Sequence, residues 1–150
     1  MEKQKSLACG GNVLSLYQKL RKLVYEAFDE GSRRTTRTQQ MILTAMDSGR
    51  TFSMSELANL INTSNEQATR AVSQLVDMGF IVRTQNESNH RIVNICLSED
   101  AQNYMKDIRQ SIEKKLAERL FGTSKPDKKQ LAQIASLIKD LDQSVTPSDN

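Results

Sequence analysis

Seven side chains between Asn65 and Gln74 have the types and spacing for one particular chemistry. Asn65, Glu66, Thr69, Arg70, Ser73 and Gln74 share one side of a helical segment, and Gln67 stands beside them near its start. None is large and apolar. Base edges in the major groove of DNA are read by arginine on guanine, by a side-chain amide on adenine, and by a hydroxyl on either. The segment carries that vocabulary in and near its N-terminal half, the part that enters the groove in helix-turn-helix proteins. A second group, Arg83, Asn89, His90 and Arg91, falls in or beside a hairpin, where cations and donors grip phosphate or enter the minor groove. A polar helix face taken alone is usually no more than a solvated surface. The neighbouring elements decide between these readings.

The base-reading segment opens with Ser64-x-x-Gln67, closes at Gly79, and hides Ala68, Val72 and Leu75 on its other side. Just before it, Ser53-x-x-Glu56 forms a capping box for a short helix that buries Leu57, Ala58 and Ile61, with Asn62-Thr63 as the turn. Two capped helices joined by a short polar turn are a helix-turn-helix signal. The period then changes to two. Phe80 to Thr84 reads as one strand and Ile92 to Leu97 as another, with Val93, Ile95 and Leu97 on one face. Gln85 to His90 is a polar tip without an apolar residue, and Arg50-Thr51-Phe52 offers a third strand. Together they make a wing.

Flanking helices complete the chain. A helix from about Val13 to Phe28 carries Val13, Leu16, Tyr17, Leu20, Val24, Ala27 and Phe28 as its stripe. A basic connector, Ser32 to Arg37, leads to a short helix with Met41, Ile42, Ala45 and Met46. Ser98 caps a long helix striped by Ala101, Met105, Ile108, Ile112, Leu116 and Leu120. After a break at residues 122–126 a last helix bears Leu131, Ile134, Ile138 and Leu141, and a polar tail starts at Thr146. The expected fold class is mainly α (α+β). Residues 36–98 form the winged core of a single unit spanning 1–150, with 10–30 and 99–145 as dimerisation helices. The terminal stripes are wider than so small a core covers, and pairing with a second copy buries them. Packing on the core of the same chain is the alternative.

The 150 residues carry a net charge of +3, which neither demands nor excludes nucleic acid. No run is apolar enough for a membrane span, and the start lacks a signal-peptide core. Cys9 and Cys96 are too far apart for a metal clip and do not read as a disulfide framework, so the expected setting is a reducing cytoplasm. One histidine, no Gly-rich phosphate loop and no nucleophile–base arrangement argue against an enzyme, a metal or a cofactor. A winged module used only for protein contact remains the competing class.

The order of these elements resembles the multiple-antibiotic-resistance-regulator (MarR) family. The matching residues are Gln39-Gln40-Met41-Ile42-Leu43, Ser55-Glu56-Leu57-Ala58, the Ser64 to Gly79 segment with Thr69-Arg70-Ala71-Val72, Phe80-Ile81-Val82-Arg83, and Leu97-Ser98. The resemblance implies a homodimeric regulator of transcription, a repressor in the usual case, on a pseudo-palindromic double-stranded DNA site. It also implies a small, often phenolic, effector, for which Tyr17, Tyr25 and Met41 are the candidate lining residues. An oxidant-sensing cysteine is the other signal found in such proteins, and Cys9 is the candidate. Aligning on Tyr17, however, puts Val13 where peroxide-sensing members carry their thiol, and Cys9 has no adjacent cation. The family's wing tip usually reads Asp-Arg-Arg. Asn89-His90-Arg91 stands there instead, with one arginine and no carboxylate, which makes the wing's grip weaker or dependent on pH.

Overall fold

Six local bonds between side chains and backbone fix where the central helices begin. The Thr36 and Ser53 hydroxyls accept from the amides of Gln39 and Glu56, whose side chains reach back to the capping residues' own N–H groups. Ser64 accepts from the Gln67 amide, and Ser98 from that of Ala101. Each bond satisfies a donor that a helix start otherwise leaves unpaired. In this computed structural model residues 9–122, 124 and 127–145 are described, and the chain divides into two units after Glu113. The tail from Thr146, and Thr123, Lys125 and Pro126 of the expected break, lie outside the described residues.

The elements are α1 (Gly10–Asp29), α2 (Arg37–Met46), β1 (Phe52–Ser53), α3 (Met54–Leu60), α4 (Asn65–Asp77), β2 (Ile81–Gln85), β3 (Val93–Leu97), α5 (Glu99–Phe121) and α6 (Lys128–Val145). The sheet runs β1-β3-β2, all antiparallel, with Phe52 opposite Ile95 and Arg83 also opposite Ile95 on the other side. This is a winged helix-turn-helix, and its third strand, Phe52–Ser53, shares only Phe52 with the expected Arg50-Thr51-Phe52 stretch. The core of the first unit joins Phe28, Ile42, Leu43, Met46, Phe52, Leu57, Val72, Leu75, Phe80 and Ile95 to the first half of α5. Tyr104 of α5 stacks on Phe80 at 5.1 Å between ring centres.

Two helix ends set the angles of the motif. At the end of α3, Asn62 takes a left-handed backbone (φ 53°), and the Thr63 amide donates back to Ala58. At the end of α4, Gly79 does the same (φ 76°), and the Phe80 amide donates to Leu75. Both are the closing motif that an Asn or Gly just past a helix permits. Ser98 then ties the start of α5 to this corner, because its hydroxyl donates to the Gly79 carbonyl at 2.6 Å.

Some element boundaries need correction. The first wing strand starts at Ile81, since the Phe80 amide is spent on the end of α4. The second starts at Val93, because both backbone groups of Ile92 serve the tip. Val93 is exposed while Ile95 and Leu97 are buried, so the near end of that face projects past the core. On α1 the buried residues are Leu23, Ala27 and Phe28, whereas Val13, Leu16, Tyr17 and Leu20 are exposed. Arg37 belongs to α2 rather than to the connector. In the second unit α6 has no buried residue, and Leu131, Ile138 and Leu141 are all exposed.

Ser53→Ala removes the hydroxyl half of one capping box and should cost about 1 kcal/mol. The denaturation midpoint should fall at fixed protein concentration with the slope unchanged. An unaltered midpoint would show that the α3 start is held by packing alone.

Candidate nucleic-acid interface

Helix α4 is built with two unlike faces. Ala68, Ala71, Val72 and Leu75 are buried, while Asn65, Glu66, Gln67, Thr69, Arg70 and Gln74 are exposed and Ser73 is half-buried. The structure therefore brings all seven predicted side chains onto accessible surface of one helix. Their hydrogen bonds differ in what they leave free. The Thr69 hydroxyl donates to the Asn65 carbonyl at 2.7 Å, the usual local bond of a helical threonine, and keeps its acceptor lone pairs. Arg70 pairs with Glu66 one turn back at 3.1 Å. Both ends are exposed, so the pair is worth little and gives way readily to a better acceptor. Gln67 accepts at 2.6 Å from the Thr63 hydroxyl in the preceding turn.

The wing connects to α4 through Arg83. Its guanidinium donates to the Ser73 hydroxyl at 2.8 Å, which fixes the angle between β2 and α4. A guanidinium has five N–H donors, so several remain for phosphate. The hairpin tip is not held through this arginine. Instead the Asn86 side chain accepts from the amides of Ser88 and Asn89, and Asn89 accepts from the amide of Arg91 at 3.1 Å. Asn89 thus spends its oxygen on the backbone of the arginine two residues on. His90 and Arg91 are both exposed.

The basic connector divides. Arg37 makes a two-pronged pair with Asp29 at 2.9 and 2.8 Å, donates to Gln40, and lies over the Tyr25 ring at 4.3 Å. It links α1 to α2. The bridge holds the Asp29 carboxyl below its ordinary value, chiefly through the hydrogen bonds from Arg37. Arg33 lies over the Phe80 ring at 5.8 Å.

Two residues of this region were missed in the sequence. Gln39 and Gln40 on α2 are both buried. Gln39 donates to Gln74 on α4 at 2.9 Å, and Gln40 donates to the Thr35 carbonyl at 3.1 Å. The signal was present in Thr36-x-x-Gln39, which has the same form as Ser53-x-x-Glu56.

Tyr17, Tyr25 and Met41 do come together. With Leu20, Val24 and Ala45 they line an open groove of about 570 Å³ between α1, α2 and the end of α3. Cys9, the residue just before α1, is half-buried and free, as is Cys96, whose thiol lies 3.9 Å from the Val82 carbonyl. Among the described residues no group of histidine, cysteine or carboxylate side chains has the arrangement of a metal site, and no helix is long and apolar enough to cross a membrane.

Residues 35–93 match the profile of the MarR family. Over this segment, less than half of the chain, the protein is similar to the MarR family. Its members are winged-helix, DNA-binding regulators of transcription, among which repression and homodimerisation are typical. Comparison with curated proteins gives no sequence match. Solved structures match most of the chain. A mutant MarR from E. coli has a TM-score of 0.69 at 19% identity, over 92% of this chain and 98% of that one. The mutant complexed with operator DNA gives 0.58 at 19%, over 90% and 94%. NadR in complex with 4-hydroxyphenylacetate gives 0.63 at 15%, over 94% and 96%. At such identities the likeness is one of fold.

The Asp29–Arg37 bridge makes a pH-dependent contribution to stability. A carboxyl lowered on folding stabilises fully above its ordinary value of 3.8 and less as pH falls below it. Asp29→Asn should therefore be less stable than wild type at pH 7, with the gap closing towards pH 3 in thermal melts. A gap independent of pH would assign the loss to packing rather than to charge.

Proposed function

We propose that this chain regulates transcription as a homodimer on a pseudo-palindromic double-stranded operator, acting as a repressor. The observation that carries the reading is the exposed hydrogen-bonding face of α4 above a fully apolar opposite face. Asn65, Glu66, Gln67, Thr69, Arg70, Ser73 and Gln74 meet base edges in the major groove. Arg83, Asn89, His90 and Arg91 set the wing against the adjoining phosphates and minor groove, and only Arg83 and Arg91 bring a standing charge there. The segment 36–98 is the DNA-binding part of the unit.

Residues 10–30 and 99–145 serve dimerisation. The exposed stripe of α1 and that of α6 are each longer than a solvated surface helix needs, and a second copy is the economical cover. Twofold symmetry then presents two α4 helices to two half-sites. The groove of Tyr17, Tyr25 and Met41 has the size and apolar lining for a small aromatic effector, and a phenolic acid is the ligand in the NadR structure. The groove favours such a signal over oxidation of Cys9. No cofactor or metal enters this account, and the setting is cytoplasmic.

The test begins with an operator enriched from random DNA. Arg70→Ala should bind it with a loss of about 1–3 kcal/mol and bind random DNA almost as well as wild type. Equal losses on both would reduce Arg70 to a phosphate contact. Sedimentation at micromolar concentration should show twice the chain mass, and a stable monomer would end the dimer reading. Failure to bind any duplex at low salt would favour the protein-contact module instead.

A further inference from the structure

We propose that Gln39 is a positioning residue that turns Gln74 so that only its hydrogen-bond donor faces the major groove, making this position select a base with an acceptor edge. The proposal rests on the reading of α4 as the base-contacting helix. It goes beyond that reading by assigning a polarity to one contact and a cause to the polarity.

A chain of obligatory roles carries the argument. The Thr36 backbone N–H can only donate, and it donates to Gln39 Oε1 at 2.8 Å. The oxygen of that amide being committed, Gln39 presents Nε2 on its other side, and an amide nitrogen can only donate. It lies 2.9 Å from Gln74, which must therefore meet it with Oε1. Gln74 Nε2 is what remains for the exterior. Gln39 is only 4% exposed, so water does not offer its amide an easy alternative. Reversing either amide would set two donors or two acceptors against each other beside the buried Gln39 amide, a costly mismatch. Gln74 itself is exposed and lies beside Gln67 and Arg70 at a small cleft facing the start of α2.

A glutamine free at both ends reads adenine by accepting from N6 while donating to N7. With Oε1 turned towards Gln39, Gln74 offers the groove a donor. Guanine O6 and N7 and thymine O4 take that donor, adenine offers it N7 alone beside an opposing amino group, and the amino group of cytosine opposes it outright. The cap of α2 and the specificity of α4 are thereby joined through one buried amide.

Replacing Gln39 with glutamate keeps the shape and the capping box, because a carboxylate accepts from the Thr36 amide equally well. A carboxylate has no donor, so at pH 8 the Gln74 amide must turn its Nε2 inward and its Oε1 out. Gln74→Glu, at an exposed site that leaves the core untouched, also places an acceptor outward while still receiving the Gln39 donor. Sequence selection from a random duplex pool, run on the full chain and both variants, reads the outcome. Wild type should enrich guanine or thymine at one base of each half-site. Gln39→Glu and Gln74→Glu should both switch that base to adenine or cytosine, a change in preference of about fivefold or more, with other positions kept. If Gln39→Glu melts too low to assay, Gln74→Glu alone decides. Unchanged preference in a folded variant, with wild type selecting normally, overturns the relay and leaves the reading of α4 standing. Failure of wild type to enrich any sequence overturns both.

Discussion

A helix that leaves one side to exposed hydrogen-bonding side chains must be held mainly by its other side, and α4 has four small or branched residues with which to do it. Ala68, Val72 and Leu75 are fully buried, and Ala71 nearly so. The alanines let α4 sit close against α2 and α3, while Val72 and Leu75 supply the apolar area. Burying such a side chain is worth about 1.5–3 kcal/mol, too little from two large residues to fix a helix axis unaided. The rest of the first unit supplies what is missing. The Asn62 and Gly79 closures set where α4 enters and leaves, Ser98 ties the exit corner to α5, and Phe80 inserts between that corner and Tyr104.

Two polar bonds then limit how far α4 can roll. Gln39 reaches it from α2 and Arg83 from β2, on residues one helical step apart, Gln74 and Ser73. Each ties a potential DNA-contacting side chain to an element that does not itself read bases. The wing and the cap of α2 thus act directly on the exposed face of α4, whose geometry depends on the frame as well as on the helix. Arg37 extends the frame further, since its pair with Asp29 and its position over Tyr25 couple α2 to α1, which lines the groove of Tyr17 and Met41. Tyr25 thus lies between the groove and the residue that begins α2.

The winged helix was legible because its signals are local. Ser53-x-x-Glu56, Ser64-x-x-Gln67, Gly79 and the switch to a period of two each depend on a few adjacent residues; the caps and Gly79 stand where they were expected, and the strands begin one residue later. The polarity of α4 was equally plain, since all seven residues expected on its outer side are accessible. What was not legible depended on distance in the chain. Nothing in the spacing of Gln39 and Gln74 announces a bond between them, and glutamines near a helix start are usually solvated. Arg37 read as part of a basic cluster because charge counts along a sequence ignore a partner eight residues earlier. On α1 the stripe was assigned correctly by period, but the period alone does not say that its burial ends at Leu23 and leaves Val13 to Leu20 exposed.

The central claim is that α4 lies in the major groove, twice, in a symmetric complex. Methylation interference addresses it directly, because dimethyl sulfate marks guanine N7 in the major groove and adenine N3 in the minor groove of the same duplex. On an enriched operator, N7 methylation should block binding at two symmetric clusters about one helical turn apart, the spacing set by paired recognition helices. Any N3 interference should be confined to the flanks reached by the wings. Interference at N3 alone, or at one unrepeated N7 cluster, would contradict the account.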